Sequence, residues 1–418
     1  MDVDVSFQPA RPKRGRWRLS PPKNLIPVIS PGQRIRTLAV WSQSWSRIQA
    51  LIRGWADALS PLERLIVSTD HDEQSLTPPT IFVGEALKSL KVTGLALLGL
   101  YHFRAPNLTV LDLMDTSQTL CSVETLFDFL DASPSLEEVC IGASLSIAFS
   151  PSERRVTLSR VRRINLEMKH VARVASQLIC PSVTTTIFAH GLPEDLDVNI
   201  LPPTIFPPTL HSLLGQYSIE SIDKVLMHVA DRDGYPCCIL QFHAPSGAIF
   251  WFFCRPVDQP DETWPFSTLF EQTVSTLLSL PLDQVVTLAI FMQDVPETAG
   301  DPHRIRTKLA EVFEKCSNLQ EVVLENYDPG RCPDFSGEKT PYIRTLIIKH
   351  PEDASWEEMI EDVTEVARIR HSKGKPLERV EIFSAVGHPG TERLEALVRE
   401  VEYSGVHSWR HGRITSWT

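Results

Sequence analysis

The sequence predicts an α/β solenoid, with short parallel strands side by side in a curved sheet, helices outside, and one β-hairpin interrupting the series. Three observations predict it. First, a six-residue frame with apolar first, fourth and sixth positions recurs along the chain. It reads Leu108-Thr109-Val110-Leu111-Asp112-Leu113 in one copy and Leu319-Gln320-Glu321-Val322-Val323-Leu324 in another. Second, further copies begin at Ile35, Leu62, Leu87, Leu136, Val161, Val183, Val285, Ile343 and Leu377, so the frame has a period. Third, the segments between copies have apolar residues at helical spacing.

The early spacings are 27 (35 to 62), 25 (to 87), 21 (to 108), 28 (to 136), 25 (to 161) and 22 (to 183). Frame and spacing together are those of a leucine-rich repeat, whose copies run roughly 20–29 residues and bury their apolar face only against their neighbours. Later spacings of 34 (285 to 319), 24 (to 343) and 34 (to 377) call for longer connecting helices. An ordinary α/β domain would also alternate strand and helix. The recurrence of both frame and period favours the leucine-rich-repeat-like solenoid.

Taken in order, the elements follow from local chemistry. Val123, Leu126, Phe127 and Leu130 share one helical face, as do Ile305, Leu309, Val312 and Phe313. Further helices are expected near residues 268–280, 356–369 and 391–401. Proline stands just before several strands, at Pro106, Pro134, Pro181 and Pro376, where it cannot prolong a helix. Ile239 to His243 and Ala248 to Phe253, separated by Ala244-Pro245-Ser246-Gly247, predict a hairpin. The chain thus divides into a basic, disordered tail (1–24), a first repeat segment (25–214), a hairpin-and-helix insertion (215–280), a second repeat segment (281–405) and a short tail (406–418).

Composition bounds the function. The 418 residues are 42% hydrophobic and 22% charged, which is ordinary for a globular protein. The longest apolar run, Ala248 to Cys254, is far below the ~18–20 residues that cross a bilayer, so no membrane partner is expected. Eight cysteines without framework spacing predict reduced thiols and a cytoplasmic or nuclear location. A net charge of −11 argues against general nucleic-acid binding. Arg11, Lys13, Arg14, Arg16 and Arg18 form a basic cluster that reads as a solvated tail or a nuclear-import signal.

The search for chemistry returns no enzyme and no cofactor. Phosphate-binding glycine loops, dinucleotide fingerprints, zincin helices and nucleophile elbows are missing. Cys237, Cys238, His243 and Cys254 lack zinc-ligand spacing and read as hairpin thiols. Asp231-Arg232-Asp233-Gly234 opens like a calcium loop, but its glycine comes too early and Phe242 stands where a closing carboxylate belongs. Asp70-His71-Asp72-Glu73 reads as a polar loop. His102, His190, His350 and His388 have no identifiable nucleophile beside them.

Binding is the expected use instead. Because strand side chains alternate, residues between the frame positions face away from the core and line the concave sheet. The expected exposed rows are Trp41; Arg64 and Ser68; Lys91 and Thr93; Asp112 and Met114; Glu138; and Arg163, Asn165 and Glu167. They continue as Phe291; Glu321 and Glu325; Lys349; and Arg379, Glu381 and Phe383. Mixed charges with aromatic and Met anchors suit a protein partner.

Residues Arg34 to Val40, Ala105 to Leu113 and Leu280 to Leu288 carry a resemblance to the repeat region of the F-box/leucine-rich-repeat-like proteins of mushroom-type fungi. It covers about Leu25 to Gly405. The resemblance implies substrate recognition for a cullin-type ubiquitin ligase. Full members dock a Skp-type adaptor through an N-terminal F-box opening with Leu-Pro-x-Glu. Here the residues before Ile35 are basic and proline-rich, and Leu192-Pro193-Glu194 and Leu201-Pro202-Pro203 fall inside the repeats. Adaptor docking is therefore not carried over. The other readings are a nuclear scaffold or regulatory repeat protein unrelated to ubiquitin, and an enzyme centred on His243 and Cys254.

Overall fold

A computed structural model describes residues 2–7, 34–42, 60–69, 82–93, 103–116, 123–143, 154–167, 171–191, 210–217, 219, 221–232, 235–255, 266–293, 302–325, 340, 342–349, 355–384 and 391–404. The Arg11–Arg18 cluster, Asp70 to Glu73, His102, His350, His388, the two Leu-Pro sequences and residues 406–418 lie outside these. The protein is mixed α/β with mostly parallel strands. It divides into two units, Met1–Gly191 with Gln216–Ser218, and Leu192–Gly215 with Ile219–Thr418.

The first unit starts with strands β1 (Asp2–Phe7), β2 (Arg34–Ser42), β3 (Arg64–Thr69), β4 (Phe82–Val83), β5 (Ser89–Thr93) and β6 (Phe103–Arg104). Next come β7 (Val110–Thr116), helix α1 (Val123–Asp131), β8 (Glu138–Ala143) and β9 (Val156–Thr157). It closes with β10 (Arg163–Glu167), α2 (Val171–Gln177), β11 (Leu178–Ile179) and β12 (Thr185–Gly191). Its sheet is parallel throughout, in the order β1-β2-β3-β5-β7-β8-β10-β12.

The division of the chain runs through α3 (Leu210–Gln216). The second unit then has β13 (Lys224–Arg232), β14 (Tyr235–His243), β15 (Ile249–Arg255), α4 (Phe266–Ser279) and β16 (Thr287–Gln293). After them come α5 (Pro302–Lys315), β17 (Glu321–Glu325), β18 (Thr345–Lys349), α6 (Trp356–Ser372), β19 (Arg379–Phe383), α7 (Glu392–Glu395) and β20 (Glu400–Ser404). Its sheet order is β15-β14-β13-β16-β17-β18-β19-β20, antiparallel across the first three strands and parallel from β13 onward.

The frame is the inward face of these sheets. In all eleven copies the three frame residues are buried, none more than 4% exposed. From Leu62 onward each strand starts two residues after its frame does. A turn precedes it: the Leu108 N–H donates to the Ala105 carbonyl (3.0 Å), Leu136 to Ser133 (3.3 Å) and Val183 to Cys180 (3.2 Å). Pro106, Pro134 and Pro181 take the second position of these turns, where a fixed φ is already correct. Proline is thus a turn former here as well as a helix stop.

Neighbouring copies are joined at the strand entrance by a repeated backbone contact. One carbonyl accepts two N–H groups from the next copy. Glu63 O takes Lys88 N (2.8 Å) and Ser89 N (3.0 Å), Lys88 O takes Thr109 N (2.8 Å) and Val110 N (3.0 Å), and Gln320 O takes Arg344 N (2.8 Å) and Thr345 N (3.0 Å). Side chains of the turns repeat the step. Asn107 donates to the Glu85 carbonyl (2.8 Å), Ser182 to Ser159 (2.8 Å) and Asn318 to Asp283 (2.7 Å).

Several expectations need correction. An outer helix in every copy is not what the described residues show, since seven helices accompany twenty strands. Before the frames at Leu87, Leu108, Val161 and Val183 the described residues include two short parallel ladders, β4 with β6 and β9 with β11, the strand β11 following directly on α2. Phe82-Val83, Val156-Thr157 and Leu178-Ile179 favour strand by residue type. Part of the segment expected to be a disordered tail, Asp2–Phe7, pairs in parallel with β2. The hairpin is present, but three antiparallel strands make it up. Its first strand carries a further copy of the frame, Ile222, Val225 and Met227, all buried. The helix expected over 391–401 is only α7, followed by strand β20. There Val398, Val401 and Tyr403 stand at frame spacing, and β-branched Val with Tyr favours strand.

Candidate functional site

In the first unit the row one residue beyond the second frame position becomes a polar band. Lys91, Asp112, Cys140 and Asn165 are register partners on β5, β7, β8 and β10. The Lys91 ammonium donates to Asp112 Oδ2 at 2.6 Å, and Asn165 Nδ2 to Cys140 Sγ at 3.4 Å. Asp112 Oδ1 is shielded and has no hydrogen-bond partner among the described residues. Half-buried Ile66 and Ile187 hold the same row on either side of the band.

The row two residues earlier is open, with Arg64, Glu138 and Arg163 exposed. Glu138 and Arg163 are register neighbours. The row two residues later holds half-buried Thr93 and Glu167, while Ser68, expected to be exposed, is buried. Trp41 and Met114 lie on β2 and β7, and their side chains are outside the described ones.

Burial pushes the Cys140 thiol above its ordinary range, and the Asp112 charge adds to it; the Asn165 hydrogen bond and Lys91 oppose the rise. At neutral pH this thiol is protonated and serves as a weak hydrogen-bonding group rather than a nucleophile. Sequence reasoning passed over Cys140. Its signal was positional, because it lies between Val139 and Ile141 as Asp112 lies between Leu111 and Leu113.

The second unit is different. Glu321, Lys349 and Arg379 are half-buried, but Phe291 (5% exposed), Phe383 (3%), Glu325 (8%) and Glu381 (7%), all expected to be exposed, are buried. The row that is polar in the first unit is here Leu226, Ala289, Val323 and Ile347, which are register neighbours and buried together. Glu325 pairs with Lys349 within this face. The physical reason is plain in the sequence: Val322-Val323-Leu324 and Leu346-Ile347-Ile348 lack polar alternation, so both faces of those strands are apolar.

No protein-family model matches the chain, and none of the curated proteins matches it either.

At the hairpin, His243 meets Gln241 (Nε2 to Nε2, 2.7 Å), and burial, with Lys224 nearby, holds the imidazole below its usual pKa. Cys238 is buried against the Thr273 hydroxyl at 3.0 Å, and burial raises its thiol to about 12. The Cys254 side chain is outside the described ones. Among the described residues, no three His, Cys, Asp or Glu side chains are grouped to hold a metal ion. No described helix is long and apolar enough to cross a membrane.

Proposed function

We propose that the chain is a non-catalytic protein-binding repeat protein, each unit a leucine-rich-repeat-like segment with a curved sheet, and that the strand face of the first unit holds the partner. One observation carries this reading. The polar band Lys91–Asp112–Cys140–Asn165 lies in register on four adjacent strands, bordered by half-buried isoleucines and exposed charges. Such a surface offers hydrogen bonds, charge and apolar contact on a backbone that the ladder keeps rigid, which suits a protein rather than a small ligand.

The resemblance to the fungal F-box/leucine-rich-repeat-like proteins extends the proposal to substrate recognition for a cullin-type ubiquitin ligase in the cytoplasm or nucleus. The competing reading is a nuclear scaffold or regulatory protein, favoured by the Lys13-Arg14-Gly15-Arg16 sequence. Affinity purification of the full chain, compared with Asp112→Lys and with Arg368→Glu on α6, tests both. The surface reading expects a set of captured proteins lost with Asp112→Lys and kept with Arg368→Glu. Equal recovery by all three chains would sink it. Cullin and Skp-type subunits recovered with the full chain and kept with Asp112→Lys support the ligase role; their absence from the full chain leaves the scaffold.

A further inference from the structure

We draw no further inference here: the strongest candidate, the apolar strand face of the second unit around Ala289, Val323 and Ile347 with its Glu325–Lys349 pair, carries nothing because nothing in the structure shows what covers it.

Discussion

Leu111 and Asp112 are adjacent in the chain and opposite in consequence. Leu111 is fully buried at the second frame position, so Leu111→Asp places an unpaired carboxylate inside the stack and costs at least about 4 kcal/mol. Urea unfolding of that variant at near wild-type midpoint would contradict the inward assignment. Asp112 is part of a half-exposed pair, and Asp112→Ala changes stability by less than about 1 kcal/mol. Its effect appears at Cys140. Removing the Asp112 carboxylate lowers that thiol's pKa, because a nearby negative charge disfavours the thiolate. Iodoacetamide therefore alkylates Cys140 faster in Asp112→Ala and slower in Lys91→Ala, a pair of opposite shifts readable by mass spectrometry. Thr186 gives a third test. It occupies a frame position that is Leu, Val or Ile in the other copies, and its hydroxyl is buried without a partner among the described residues. Thr186→Val raises stability by about 1 kcal/mol in equilibrium unfolding, since the shape is kept and an unpaired polar group is removed.

Among elements, α6 shows how a helix is fixed to a copy. Arg370 in its last turn is fully buried, donating to the carbonyls of Thr340 (3.0 Å) and Ile343 (2.5 Å) just before β18. Arg370→Ala leaves those acceptors without their charged donor and opens a void. A loss of about 3 kcal/mol is expected, and less than about 1 kcal/mol would contradict the anchoring role. The element that the sequence hid was β13. Asp233-Gly234 between two apolar runs is a strong short hairpin signal, and Arg232 indeed pairs with Tyr235 across it. Read as a failed calcium loop, it concealed a frame copy at Ile222. The helix expected over 391–401 failed for a related reason. Over so short a segment, Leu394, Val398 and Val401 fit helical spacing, while Val401 and Tyr403 also fit strand alternation; pairing with β19 decided the outcome. Parallel strands with the frame were legible because each copy repeats one burial pattern. The exposed face was legible in part in the first unit, at Arg64, Glu138 and Arg163, where charged residues alternate with the frame. In the second, the continuous apolar runs of β17 and β18 signal burial on both sides, which outweighs the alternation on which the expected rows rest.

At the scale of the whole molecule, most strands in each unit pair with the strand of the next copy, and the chain divides into two units. A chain whose strands pair mostly with their sequence neighbours, in two units, is expected to depart from a single all-or-none transition. Calorimetry should give a van't Hoff enthalpy below the measured enthalpy, and equal values would contradict this. Buried thiols offer a parallel readout. Burial raises Cys180, Cys238 and Cys316 to about 12, so they resist alkylation until their unit opens, whereas half-buried Cys140 and Cys237 do not need unfolding to be reached.

The carbonyl shared at strand entrances such as those of β5, β7 and β18 has a consequence for how such a chain evolves. Because the step from copy to copy is fixed there by main-chain atoms, the far side of a copy is under no obligation to keep a set length, and copies of 21 and of 34 residues already coexist. Insertions and deletions can accumulate in those connections without shifting any neighbour. The ladder can thereby stay as it is while the connections around it vary in length.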